Sequence, residues 1–146
     1  MSAAVRILKP GGLLILACEC SEGVPAGSPM DGLLRSVKSP EELLLQLASG
    51  SAPRPEQWQR QIQALIQRRA RVQVYSRLDP DTLAACRLDS CPDVGRAVRA
   101  EAARLGGSCR VAVLPHGPLT IPYLAKAPKG VAENPLPQAG ITPPRP

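Results

Sequence analysis

The stretch ILKPGGLLILACECSEG, residues 7–23, constrains the fold more than any other part of the chain. Residues 2–8 read as the last turns of a helix. Gly11 and Gly12 end that helix and supply the positive backbone angles a tight turn requires. Residues 13–18, LLILAC, then run apolar without a break. A short apolar run bounded by turn residues is the pattern of a strand buried on both faces, as parallel sheets produce. Residues 21–29, rich in Gly, Pro and Ser, follow as a loop at that strand's carboxyl end.

The rest of the chain continues the alternation. Residues 31–37 suit a short helix, and Ser39-Pro40-Glu41-Glu42 begins another. Ser39 is its N-cap, Pro40 fits the first helical position, and Glu42 completes a capping box. Such a cap contributes about 1 kcal/mol. Residues 55–70 form the longest helix, with Trp58, Ile62, Leu65 and Ile66 as its apolar stripe. Arg60, Gln61, Gln67 and Arg68 lie off that stripe. Residues 72–75 read as a second strand, and Asp79 caps a helix that starts at Pro80.

Residues 92–105 place Val94, Val98, Ala102 and Leu105 on one helical face, and Gly106-Gly107 stops it. Residues 110–114 read as a third strand. Strands that alternate with helices pair in parallel through right-handed crossovers. The expected architecture is α/β, a Rossmann-like three-layer sandwich with a small, mainly parallel sheet. It occupies residues 1–127, and residues 128–146 form a Pro- and Gly-rich tail expected to be disordered, since it has too little apolar surface to build a core.

Composition narrows the function. A chain of 146 residues can bury one core, and no apolar run approaches membrane-spanning length. The net charge of +6 comes from fourteen Arg and four Lys scattered along the chain. The three aromatics, Trp58, Tyr75 and Tyr123, are too far apart to stack successive bases, so neither nucleic acid nor membrane is an expected partner. The start lacks the pattern of a signal peptide, and five cysteines cannot all pair, so reduced thiols in the cytoplasm are expected. Cys18 and Cys20 share a strand face and read as packing residues. No second pair at ligand spacing accompanies them, so no metal is expected on this chain.

Glu22 and Gly23, with Ser21 beside them, follow the first strand at the end where open α/β sheets place their ligand crevice. The plainer alternative is a tight turn with a solvated carboxylate. His116 has no neighbouring carboxylate or nucleophile in sequence and reads as an exposed turn residue.

A Lys-Pro-Gly-Gly turn before a strand also occurs in methyltransferases that use S-adenosylmethionine. Those enzymes need a glycine-rich loop after an early strand and an acidic residue on the next strand, and neither is present. Four blocks match elsewhere: LKPGGLLILACECSEG, PEELLLQLASG, PEQWQRQIQALIQRRARVQVYSRLDPDTL and VAVLPHGPLTIPYL. In order and spacing they resemble the C-terminal domain of the nickel-dependent lactate racemase family, up to about Leu124.

The resemblance implies one wall of a cleft between two α/β domains, where a nickel pincer nucleotide takes a hydride from a 2-hydroxy acid and returns it to either face. It also brings Trp58 and Gln59 to the substrate side of that cleft, beside Ser21, Glu22 and Gly23. A core anchor on the apolar stripe is the alternative for Trp58. The family's catalytic histidines, nickel ligand and cofactor lysine belong to an N-terminal domain, and a Tyr-Gln-x-x-Lys segment precedes the Lys-Pro-Gly-Gly turn. Here Met1 stands shortly before that turn and His116 is the only histidine. No catalytic residue is therefore assigned to this chain. The expectation is isomerase activity only with an N-terminal racemase-like domain from another polypeptide. The alternative is a non-catalytic module that binds a small ligand or a protein, including itself as a homo-oligomer.

Overall fold

The computed structural model describes residues 1–49 and 57–124. In chain order the elements are α1 (Ser2–Val5), β1 (Leu13–Ala17), α2 (Pro29–Arg35), α3 (Pro40–Ala48), α4 (Gln57–Arg69), β2 (Arg71–Tyr75), α5 (Pro80–Ala85), β3 (Asp89–Ser90) and α6 (Val94–Arg104). A 3-10 turn follows at Gly117–Leu119. The three strands form one parallel sheet in the order β1-β2-β3. The expected α/β class and small parallel sheet are therefore present.

The turn after α1 fixes the register of the sheet. Gly11 adopts φ +72°, which a side chain disfavours, while Gly12 does not have a positive φ. A Cβ on Gly12 would instead stand 2.9 Å from the Leu8 side chain. The Gly11 N–H donates to the Arg69 carbonyl at 2.8 Å, and the Arg71 N–H donates to the Gly12 carbonyl at 3.0 Å. These two bonds join the end of α4 to the start of β1, and the pairing then runs from Leu13 opposite Arg71 to Ala17 opposite Tyr75.

Side chains alternate across this pairing, so Leu14, Leu16, Val72 and Val74 share one face. Leu14 and Val72 pack with Val5, Ile66 and Ala70 in the main core, against which Leu16 and Leu88 also lie. On the opposite face, Leu13, Ile15 and Gln73 are only half-buried, and Tyr75 is exposed. The expected burial of β1 on both faces is thus only partly met: Leu14 is buried, Leu13, Ile15 and Leu16 are half-buried, and Ala17 is exposed. A second cluster joins Val37, Leu43 and Ala64 beneath α3, with Leu44 and Leu47 beside it.

The caps form where the sequence places them. Ser39 Oγ accepts from the Glu42 N–H at 3.1 Å, and Asp79 Oδ1 accepts from the Thr82 N–H at 2.8 Å. The Glu42 carboxylate reaches the Lys38 N–H at 2.6 Å, one residue ahead of the Ser39 N–H that a capping box would use.

Two expectations are corrected. Residues 110–114 are not a strand, and the third strand of the sheet is the two-residue Asp89–Ser90 pairing with Gln73 and Val74. Val111 and Val113 are exposed, and the run pairs with neither edge strand, β1 or β3. The second correction concerns α4. Its buried residues are Arg60, Ala64 and Ile66, whereas Trp58 is 63% exposed and Ile62 is exposed as well. The helix is covered on two sides: Ala64 meets Leu43 of α3, while Ile66 turns to α1 and the sheet. On α6, Leu105 is likewise exposed and Glu101 is the buried residue. The 128–146 tail lies outside the described residues.

Arg60 is only 1% exposed, and a single bond serves its guanidinium, from Nη1 to the Cys86 carbonyl at 3.2 Å. Nε and Nη2 have no hydrogen-bond partner, and burial lowers the pKa from its ordinary value. A buried cation without a counter-ion is costly, and an apolar side chain of similar volume removes that cost. We expect Arg60→Met to leave stability unchanged or raise it by up to about 4 kcal/mol in urea unfolding.

Glu101 has the opposite arrangement. Arg104 donates to both of its carboxylate oxygens, at 2.9 and 2.7 Å, and Arg71 donates from β2. These bonds lower the Glu101 pKa from 4.5 to about 2. The depressed folded-state pKa contributes stability above pH 4.5, and that stability is lost as pH falls through about 2. Glu101→Gln is expected to remove this component of acid sensitivity. Melting temperatures measured from pH 5 down to about 2 should fall less steeply in the variant than in the wild type.

Candidate functional site

Two loops leave the carboxyl ends of β1 and β2 and stand side by side. The Cys18 N–H donates to the Tyr75 carbonyl at 3.0 Å, and the Arg77 N–H donates to the Glu19 carbonyl at 3.2 Å. These bonds carry the pairing one step past the strands. An exposed ion pair between Arg77 Nη1 and Glu19 Oε1, at 2.8 Å, links the same two segments.

Beyond that link the chain turns sharply. Cys20 has φ +55° and Gly23 has φ +64°, and the Gly23 N–H closes the turn onto the Cys20 carbonyl at 3.0 Å. Leu78 Cδ2 lies 3.9 Å from where a Gly23 Cβ would stand, so the β2 loop packs against this turn. Asp79 ends the β2 loop by capping α5. Its carboxylate accepts from both the Thr82 N–H and the Thr82 hydroxyl, which hold its pKa below the ordinary carboxylate value.

Between the loops lies an open concavity of about 400 Å³, lined by Cys20, Ser21, Glu22, Gly23, Arg77, Leu78 and Asp79. Three of the sequence candidates, Ser21, Glu22 and Gly23, thus meet in one place, at the sheet end where α/β proteins seat ligands. Glu22 is exposed and forms no ion pair among the described residues. Its carboxylate and the Ser21 hydroxyl are available to a ligand or a facing surface.

Trp58 and Gln59 do not line the concavity. They stand on the first turn of α4, both exposed. His116 begins the 3-10 turn, is exposed, and offers its carbonyl to Leu119 and Thr120.

Sequence reasoning missed Arg77, Leu78 and Asp79. The signal was present, because Ser76-Arg77-Leu78-Asp79 follows β2 at the same end of the sheet as the β1 loop. Cys18 and Cys20, expected to be packed away, are half-buried, with Cys20 in the wall of the concavity. Among the described residues, no group of three or more His, Cys, Asp or Glu side chains is placed to hold a metal ion. Nor is any described helix long and apolar enough to cross a membrane. The site can bind and orient a polar group, and its lining contains no imidazole for proton transfer.

Comparison with known proteins places the chain beside a family and a solved structure. The family described as the lactate racemase C-terminal domain matches residues 1–121. Among solved structures, the chain is similar to the lactate racemase apoprotein from Thermoanaerobacterium thermosaccharolyticum, with a TM-score of 0.63 and 24% identity. That likeness covers 70% of this chain and 25% of the solved chain, so the present sequence spans a quarter of that protein's length. At this identity the structural match speaks for the fold. No curated protein matches the chain.

Proposed function

The chain belongs to the lactate racemase C-terminal domain family, and from that premise we propose that it forms one wall of an interdomain active site in a 2-hydroxy-acid isomerase. The observation that carries this reading is the concavity itself. Ser21, Glu22 and Gly23 gather with Arg77 at the carboxyl ends of β1 and β2, open on one side and lacking an acid/base imidazole. The facing wall comes from an N-terminal racemase-like domain, on a further segment or a partner polypeptide. Without that wall the chain is inactive.

The family implies a nickel pincer nucleotide in the complete enzyme. The described residues gather no group of three or more side chains suited to a metal ion, so those residues do not fit the role of its holder. No catalytic step is assigned to that group through these residues. What the chain contributes is a carboxylate at Glu22, a hydroxyl at Ser21 and a closed turn that keeps both at the mouth of the cleft.

The exposed apolar residues on the α4 side support a protein surface opposite. Trp58, Ile62 and the α3 residue Leu45 all face outward, and an indole covered by a partner is a common source of binding energy. The experiment uses this chain and the histidine-bearing racemase domain isolated with it. Trp58→Ala should weaken their association by about 2 kcal/mol, roughly thirtyfold in Kd, by titration calorimetry. Glu22→Ala should leave association intact and lower the rate of enantiomer interconversion at least about tenfold, a loss of roughly 1.4 kcal/mol in transition-state stabilisation. Wild-type affinity for the first variant together with wild-type turnover for the second would overturn the reading.

A further inference from the structure

Cys18 and Cys20 flank Glu19 where β1 runs into the concavity, and their sulfurs lie 3.1 Å apart in an S–H···S contact. That separation is about 1 Å longer than the roughly 2.0 Å of a disulfide bond, so little movement is needed to close it. All five cysteines are free thiols. The other three are placed differently: Cys86 and Cys91 are buried, and Cys109 follows α6. Only Cys20 lines the concavity.

We propose that Cys18 and Cys20 form a redox-active dithiol that closes to an intramolecular disulfide by exchange with a low-molecular-weight disulfide such as oxidised glutathione. Cys20, at the concavity, is the entry thiol. Its thiolate attacks one sulfur of the small disulfide, forming a mixed disulfide and expelling one thiolate, which takes up a proton. Cys18 then gives up its proton and attacks the Cys20 sulfur, breaking the mixed disulfide and releasing the second small thiol. The protein pair loses two electrons and two protons, and the small disulfide gains them.

The neighbourhood suits this division of roles. Burial, and then the bond to Cys20, raise the Cys18 pKa to about 11, so Cys18 rests protonated and acts second. Cys20 is reached from the concavity, whose lining it joins. Closure also has a structural consequence. Cys20 holds the left-handed backbone position from which the Ser21–Gly23 turn hangs, and its carbonyl accepts the Gly23 N–H. Tying its sulfur to Cys18 restrains that turn, so the redox state of the pair sets the shape of the wall carrying Glu22.

The dithiol is independent of the isomerase reading, because its test counts thiols and needs no turnover. The full chain is incubated with excess oxidised or reduced glutathione, quenched by alkylation, digested with trypsin and mapped by mass spectrometry. Cys18 and Cys20 fall in one peptide, residues 7–35, since Lys9 precedes proline. After oxidation that peptide should lose both alkylatable thiols and carry an internal disulfide with no glutathionyl group. Cys18→Ser should instead retain one glutathionyl group on Cys20, and Cys109→Ser should behave as wild type. Full alkylation of both thiols after oxidation would overturn the proposal. So would a wild-type peptide that keeps glutathione without closing, or a disulfide joining two chains.

Discussion

Helix α4 is the element on which the rest of the structure leans. Ala64 packs into the cluster beneath α3, while Ile66 and Ala70 pack into the main core with Leu14 and Val72. One helix therefore serves both clusters. Its last carbonyl, on Arg69, accepts the Gly11 N–H, and the next strand begins two residues later. That stitch sets Leu13 opposite Arg71, and the register it fixes brings the carboxyl ends of β1 and β2 level with each other. The paired loops and their concavity follow from that alignment. The burial of Arg60 within the same packing is the cost of using this side of the helix, since its guanidinium is left with two unpartnered nitrogens.

Much of this was legible in the sequence, for local physical reasons. Ser39 and Asp79 cap helices through bonds to residues three positions on, and in the double glycine Gly11 takes the positive φ while Gly12 leaves room for Leu8. The β1 run and the loop after it also needed only local pattern. Long-range choices were not legible. Helical periodicity shows that α4 has an apolar stripe through Trp58, Ile62, Leu65 and Ile66, but not which of its residues neighbouring elements will cover. Ile66 of that stripe is buried in the main core, Trp58 and Ile62 stay exposed, and Ala64, off the stripe, is buried beneath α3. Residues 110–114 have strand composition and pair with no strand, whereas Asp89–Ser90 pairs with β2 and has almost no pattern to announce it.

At the site, the residues that sequence reasoning selected after β1 meet those it overlooked after β2. The rule that ligands sit beyond the carboxyl ends of parallel strands applies to both loops equally, and applying it only to the first left Arg77 and Asp79 out. Trp58 and Gln59 were chosen from family resemblance, and their exposure on the first turn of α4 fits a surface waiting for a neighbour more than a wall of the concavity. The charge pattern is consistent with that division. Arg35, Arg71, Arg77 and Arg104 pair with Asp31, Glu19 or Glu101, and Arg60 and Arg87 bond backbone carbonyls, so these six are committed locally.

The central claim is that this domain completes an active site whose other wall it does not contain. The most direct measurement is native isolation, from the source organism, of the polypeptide that carries these 146 residues, with nickel content, co-purifying chains and interconversion of 2-hydroxy-acid enantiomers determined on the same sample. A histidine-rich racemase-like domain present in equal amount, with nickel and enantiomer interconversion, is the predicted result. A homogeneous preparation of this chain alone, without nickel and without turnover, would contradict the account.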